Sequence, residues 1–178
     1  LGRKGLGEWD LRALVGHASR SMITVSEYLR APAEREDVTS AADYYAMVRE
    51  YLAGADAGAV VERGRHAGRE LGEDPAAAVD ALVERALDDV SRADDPLVSV
   101  IGGLGIRLSN YLPTRVFELA VHGLDVARAT GLPFTLPDDV LAEATVLAAQ
   151  ISVRLGTATP VLLALTGRED LPPSFSVV

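Results

Sequence analysis

Arg115-Val116-Phe117-Glu118-Leu119-Ala120-Val121-His122-Gly123-Leu124-Asp125-Val126-Ala127-Arg128-Ala129 decides how this chain is read. On a helical wheel at about 100° per residue, Arg115, Glu118, His122 and Asp125 share one stripe roughly 80° wide. Val116, Phe117, Leu119, Ala120, Val121, Leu124 and Val126 cover most of the remaining surface. A helix this apolar is normally buried. Glu118 and His122 are then an ionisable pair one turn apart in an apolar setting, and both need a partner there. A divalent metal satisfies a carboxylate and a neutral imidazole together. The stretch reads as half of a metal site.

Outward from it, the chain reads as mostly helical. Toward the N-terminus, helices are predicted from Asp10 as N-cap to about Arg30, from Ser40 to about Ala53 with a stop at Gly54, and from about Gly58 to Leu71. Asp74-Pro75 opens a fourth, running to about Ala93, because Pro suits a first helical turn. Leu97–Ile101, Gly102-Gly103 and Ile106–Leu108 suggest a short hairpin or irregular loop. The stripe-bearing helix is expected from about Thr114 to Thr130, ended by Gly131-Leu132-Pro133. A sixth follows from about Pro137 to Leu155, and Val161–Leu165 reads as one short strand before a Pro-rich end. The expected fold class is all-α, a helical bundle with a short C-terminal strand and tail.

Composition bounds the function. The 178 residues suffice for one well-cored domain, and 48% hydrophobic with 24% charged residues is globular rather than disordered. A net charge of −9 offers no basic footprint for nucleic acid. No apolar run approaches the roughly 20 residues that cross a bilayer, and no signal peptide is visible, so a cytoplasmic protein is expected. With no cysteine there is no disulfide, thiolate ligand or internal thiol nucleophile, and thiol chemistry needs a thiol from outside.

A metal needs a third ligand, and the histidines are His17, His66 and His122. His17 lies on the first helix about 120° from the centre of a stripe made by Leu11, Leu14, Val15, Ala18, Met22, Val25 and Leu29. Ser21, Thr24 and Tyr28 are its neighbours, an uncharged polar shoulder of the kind that walls a ligand pocket. His66, in Glu62-Arg63-Gly64-Arg65-His66-Ala67-Gly68-Arg69, reads as a surface residue. Spacing alone leaves other readings open: an Arg115–Glu118 ion pair, a His122–Asp125 hydrogen bond, and His17 bonded to a backbone carbonyl.

Two motifs then carry a resemblance. Gly7-Glu8-Trp9-Asp10-Leu11-Arg12-Ala13-Leu14-Val15-Gly16-His17 resembles the N-terminal signature of the mycothiol-dependent maleylpyruvate isomerase family, within the DinB-like metal-binding bundles. Leu112-Pro113-Thr114-Arg115-Val116-Phe117-Glu118-Leu119-Ala120-Val121-His122-Gly123-Leu124-Asp125 is similar to its second signature. Leu163–Arg168 resembles the start of a C-terminal region found in many relatives. The resemblance implies a DinB-like four-helix-type bundle over residues 1–158 and a short C-terminal extension over 159–178. It implies that His17, Glu118 and His122 bind a divalent metal, usually zinc. Members normally begin with another helix before the Trp-bearing motif, so either such a helix lies outside this sequence or the chain dimerises. The characterised isomerases also carry a full C-terminal α/β domain, which a short extension does not match.

Two His and one carboxylate leave coordination positions open, as catalytic sites do. The resemblance implies a mycothiol-dependent thiol transferase or isomerase acting on a small electrophilic substrate. In that reading Asp125 orients His122 by accepting its other ring N–H, and Arg115 binds an anionic group of substrate or thiol. The same ligands would serve a hydrolase using bound water, or a non-catalytic metal-binding or interaction domain. They also suit nickel or iron(II).

Overall fold

A computed structural model describes residues 1–2, 4–52 and 57–178. Seven α-helices account for most of these residues: α1 Leu11–Tyr28, α2 Ala41–Leu52, α3 Ala57–Glu70, α4 Pro75–Ser91, α5 Leu108–Thr130, α6 Asp138–Arg154 and α7 Ala158–Leu165. Between α4 and α5, strands β1 (Leu97–Ser99) and β2 (Gly105–Arg107) form an antiparallel hairpin in which Val98 faces Ile106. The all-α expectation holds. The expected end of the second helix at Ala53–Gly54 lies outside the described residues.

Local chemistry explains the boundaries. The Asp10 carboxylate accepts from the Ala13 N–H at 2.8 Å and caps α1, and Asp74 caps α4 ahead of Pro75. Ser40 Oγ accepts from the Asp43 N–H and donates to the Asp43 carboxylate, closing the start of α2. Two elements differ from expectation. Helix α5 begins at Leu108 rather than Thr114, and Pro113 lies inside it. Its N-terminus is held by Asp95, whose carboxylate accepts from Ser109 N–H at 2.7 Å and Ser109 Oγ at 3.0 Å. Val161–Leu165 is not a strand but most of α7, which packs on α6. A five-residue apolar run fits either state by periodicity, and among the described residues no strand pairs with it.

Helix α1 packs against α3, α4 and α5, and α5 also contacts α2 and α6. The α1–α3 approach needs glycine on both helices: a Cβ on Gly16 would lie 2.1 Å from the Gly68 nitrogen. The core gathers Tyr44, Tyr45, Tyr111 and Phe117 with Val25, Val38, Val98, Ile106, Leu147 and Ile151. Helix α1 buries a different face from the expected stripe. Leu11, Leu14 and Val25 are buried, but so are Ser19, Ser21, Thr24 and Ser26, while Val15, Ala18 and Met22 are only partly covered. The buried hydroxyls of Ser19 and Thr24 donate to carbonyls of their own helix, and Thr24 also accepts from the Tyr111 hydroxyl at 2.8 Å.

Candidate metal centre

Rotating α1 onto its polar shoulder brings His17 against α5. The His17 and His122 rings meet edge to face with centroids 4.8 Å apart, and the Trp9 ring packs against His17 with centroids 4.4 Å apart. Trp9 is itself fixed by its indole N–H, which donates to the Val61 carbonyl of α3. One donor atom from each of His17, Glu118 and His122 lies within 4.8 Å of the other two. This is the one such group of three among the described residues. His66 is exposed on α3, as its charged surroundings predict.

Each donor has a distinct environment. Glu118 Oε1 accepts a 2.8 Å hydrogen bond from the Tyr45 hydroxyl, and its Oε2 lies 3.3 Å from His122 Nε2. His122 Nδ1 lies 3.2 Å from Asp125 Oδ2, so in its neutral form the ring donates to Asp125 and turns the Nε2 lone pair toward Glu118. Two acceptors that close need a positive charge between them. Burial alone lowers the His122 pKa, but Glu118 and Asp125 together outweigh it and raise the value above the ordinary one. Burial likewise pushes Glu118 up, and His122, Arg115 and Tyr45 more than reverse it. His17 moves the other way: burial, then the charge on His122, lowers its pKa to about 4. His17 is therefore neutral at physiological pH.

The set fits a cation on two counts. His17 Nδ1 is buried and, among the described residues, has no hydrogen-bond partner. Ligand atoms about 2.0–2.1 Å from a tetrahedral zinc stand about 3.3 Å apart, which is the spacing of His122 Nε2 and Glu118 Oε2.

The triad opens onto a cavity of about 850 Å³. Ser21, Thr24 and Tyr28 form part of its wall, the pocket role their uncharged shoulder predicts. Ser174, Ser176, Val177 and Val178 of the C-terminal tail lie along it. Arg115 lines the same cavity and makes no ion pair with Glu118 or Asp125 among the described residues. Its guanidinium lies over the rings of Tyr111 (4.8 Å) and Tyr44 (5.5 Å), and its Nε donates to Thr114 Oγ1 at 2.9 Å. A second cavity of about 350 Å³, walled mostly by apolar side chains, is lined by Val15, Ala18, Met22, Val126 and Phe134 and also reaches His122.

The family model described as the mycothiol maleylpyruvate isomerase N-terminal domain matches residues 4–127. The chain belongs to this family. The match takes in Trp9, His17, Tyr45 and the α5 stripe through Asp125, and stops before α6 and α7. No curated protein and no solved structure matches the chain. Tyr45 is the site residue that motif reasoning does not reach. It sits on α2, far from both signatures in sequence, and only the tertiary fold brings it to Glu118.

Proposed function

We propose that His17, Glu118 and His122 bind one divalent cation, zinc first among the candidates. On this reading the chain joins a low-molecular-weight thiol to a small electrophile, as a thiol transferase or an isomerase. The observation that carries it is the convergence of one donor atom from each of His17, Glu118 and His122 to within 4.8 Å of one another. Nickel or iron(II) suits the same donors. Mycothiol is the thiol for which the family is named.

A zinc ion held by His17, Glu118 and His122 would supply Lewis acidity and would lower the pKa of a thiol presented to the site. The protein's own residues do the rest. Asp125 holds the His122 ring with Nε2 facing the site, and Tyr45 holds Glu118 by its other oxygen. Burial keeps the Tyr45 phenol protonated far above its ordinary range, so it remains a donor. Arg115, partly buried beside two tyrosine rings, binds an anionic group of the reactants. The sulfur adds to the electrophilic carbon and the thiol proton ends on the product; expulsion of the same thiol after bond rotation gives isomerisation instead. A cytoplasmic setting, where small thiols are kept reduced, suits this chemistry. No helix among the described residues is long and apolar enough to cross a membrane.

The test is turnover of an α,β-unsaturated carbonyl compound by zinc-loaded protein, with and without mycothiol. Thiol-dependent consumption that disappears in Glu118→Ala is the expected result. Turnover without thiol would assign water as the nucleophile, and no turnover with either would leave a non-catalytic metal-binding domain.

A further inference from the structure

Residues 166–178 follow α7 with no helix or strand of their own, yet Ser174, Ser176, Val177 and Val178 line the larger cavity. A turn brings them there. The Phe175 N–H donates to the Pro172 carbonyl at 3.1 Å, closing a four-residue turn with Pro173 second and Ser174 third. Ser174 has a φ of 61°, in the left-handed region. Proline at the second position cannot take a positive φ, so the turn is of type II, which favours glycine where serine stands here. Beyond the turn, Val177 is partly buried against the core cluster that holds Tyr44, Tyr45 and Tyr111.

The segment is held by apolar contact alone. Among the described residues, its hydrogen bonds stay within it: Phe175 with Pro172, and the Ser176 hydroxyl with the Val178 backbone. No hydrogen bond or ion pair ties residues 171–178 to a helix among the described residues. A few partly covered apolar side chains offset little of the entropy lost in ordering such a segment. It therefore opens far more readily than the helices beside it.

We propose that residues 172–178 form a detachable strap across the larger cavity, with the Pro172–Phe175 turn as its hinge and Val177 as its latch. It leaves the cavity while the helical bundle stays folded. Opening would admit reactants and closing would shut them in; that use rests on the thiol-transfer reading, whereas the strap itself does not.

The chain contains no cysteine, so one introduced thiol reports on the strap without background. The test is the rate at which neutral dithiodipyridine labels the metal-free Val177→Cys chain, with Ser176→Cys, at an exposed position, as reference. Val177→Cys labels about tenfold to a thousandfold more slowly, at a rate that urea below the unfolding transition leaves unchanged, as local opening requires. Adding Ser174→Gly relieves the turn and slows labelling by about a further threefold. Equal rates for the two thiols overturn the proposal, because the latch is then not seated. Labelling that rises with urea in step with global unfolding also overturns it, because the segment is then a fixed wall. A Ser174→Gly chain that labels no more slowly overturns the hinge.

Methyl resonances locate the strap independently of the thiol variants. Removing residues 172–178 shifts Val48 and Val60 of the larger cavity and leaves Val79 and Val126 of the smaller one in place. No shift, or the reverse, overturns the placement. Every measurement uses metal-free chain, so a chain that binds no zinc yet shows these rates would defeat the metal reading and leave the strap standing.

Discussion

His17 and His122 lie ring to ring, yet their proton affinities are driven apart. His17 loses its proton to burial, while His122 is clamped between two carboxylates and keeps one. In the metal-free chain a proton on His122 Nε2 stands where a cation would sit. Zinc must displace it, so apparent affinity should rise by about tenfold per pH unit up to the His122 pKa, above 6.5, and level off beyond it. A titration of zinc affinity from pH 5.5 to 8.5 checks this; a flat profile would mean that His122 is not a ligand. Tyr45→Phe removes the hydroxyl from Glu118 and should weaken zinc by about 10–100-fold, while Tyr44→Phe, whose ring does not bond Glu118, should not. Arg115→Ala should raise the KM for an anionic substrate by about tenfold and spare kcat. Unchanged kinetics would remove Arg115 from the site. The α5 stripe made Glu118, His122, Asp125 and Arg115 legible because one helix presents them in fixed order. Tyr45 was not legible, since nothing in Tyr44-Tyr45 says which ring turns toward α5.

Among elements, the same contrast appears in how helices start. The α1 and α4 caps are local, Asp10 to Ala13 and Asp74 to Ala77, and could be read directly. The α5 cap is Asp95, separated from Ser109 by the whole β-hairpin, so the sequence suggested a start at Thr114, just after Pro113. Asp95→Ala should cost about 1 kcal/mol and lower the melting temperature by about 2–4 °C, measurable by thermal denaturation. The buried side of α1 was also misjudged. Its apolar stripe is real, but Ser19 and Thr24 go inward because their hydroxyls bond within the helix and, for Thr24, to Tyr111. Polar residues that satisfy themselves do not announce which way they face.

For the whole molecule, the site depends on α1 and α5 being held together by the rest of the bundle. Gly16→Ala would put a methyl into the Gly68 backbone, part α1 from α3, and shift both His17 and Arg63. A stability loss of more than about 2 kcal/mol with weakened zinc binding is expected, and a variant of wild-type stability would contradict the packing described. The all-α architecture was legible from helical periodicity, whereas α7 was not, because a short apolar run carries no periodic signal of its own.

The most direct measurement of the central claim is metal content by elemental mass spectrometry on purified wild type, His17→Ala and Glu118→Ala. The account predicts about one zinc per chain in wild type, as a site with three protein ligands requires, and loss of it in both variants with helical content retained. A folded wild type that carries no metal and takes up none when zinc, nickel or iron(II) is supplied would contradict it.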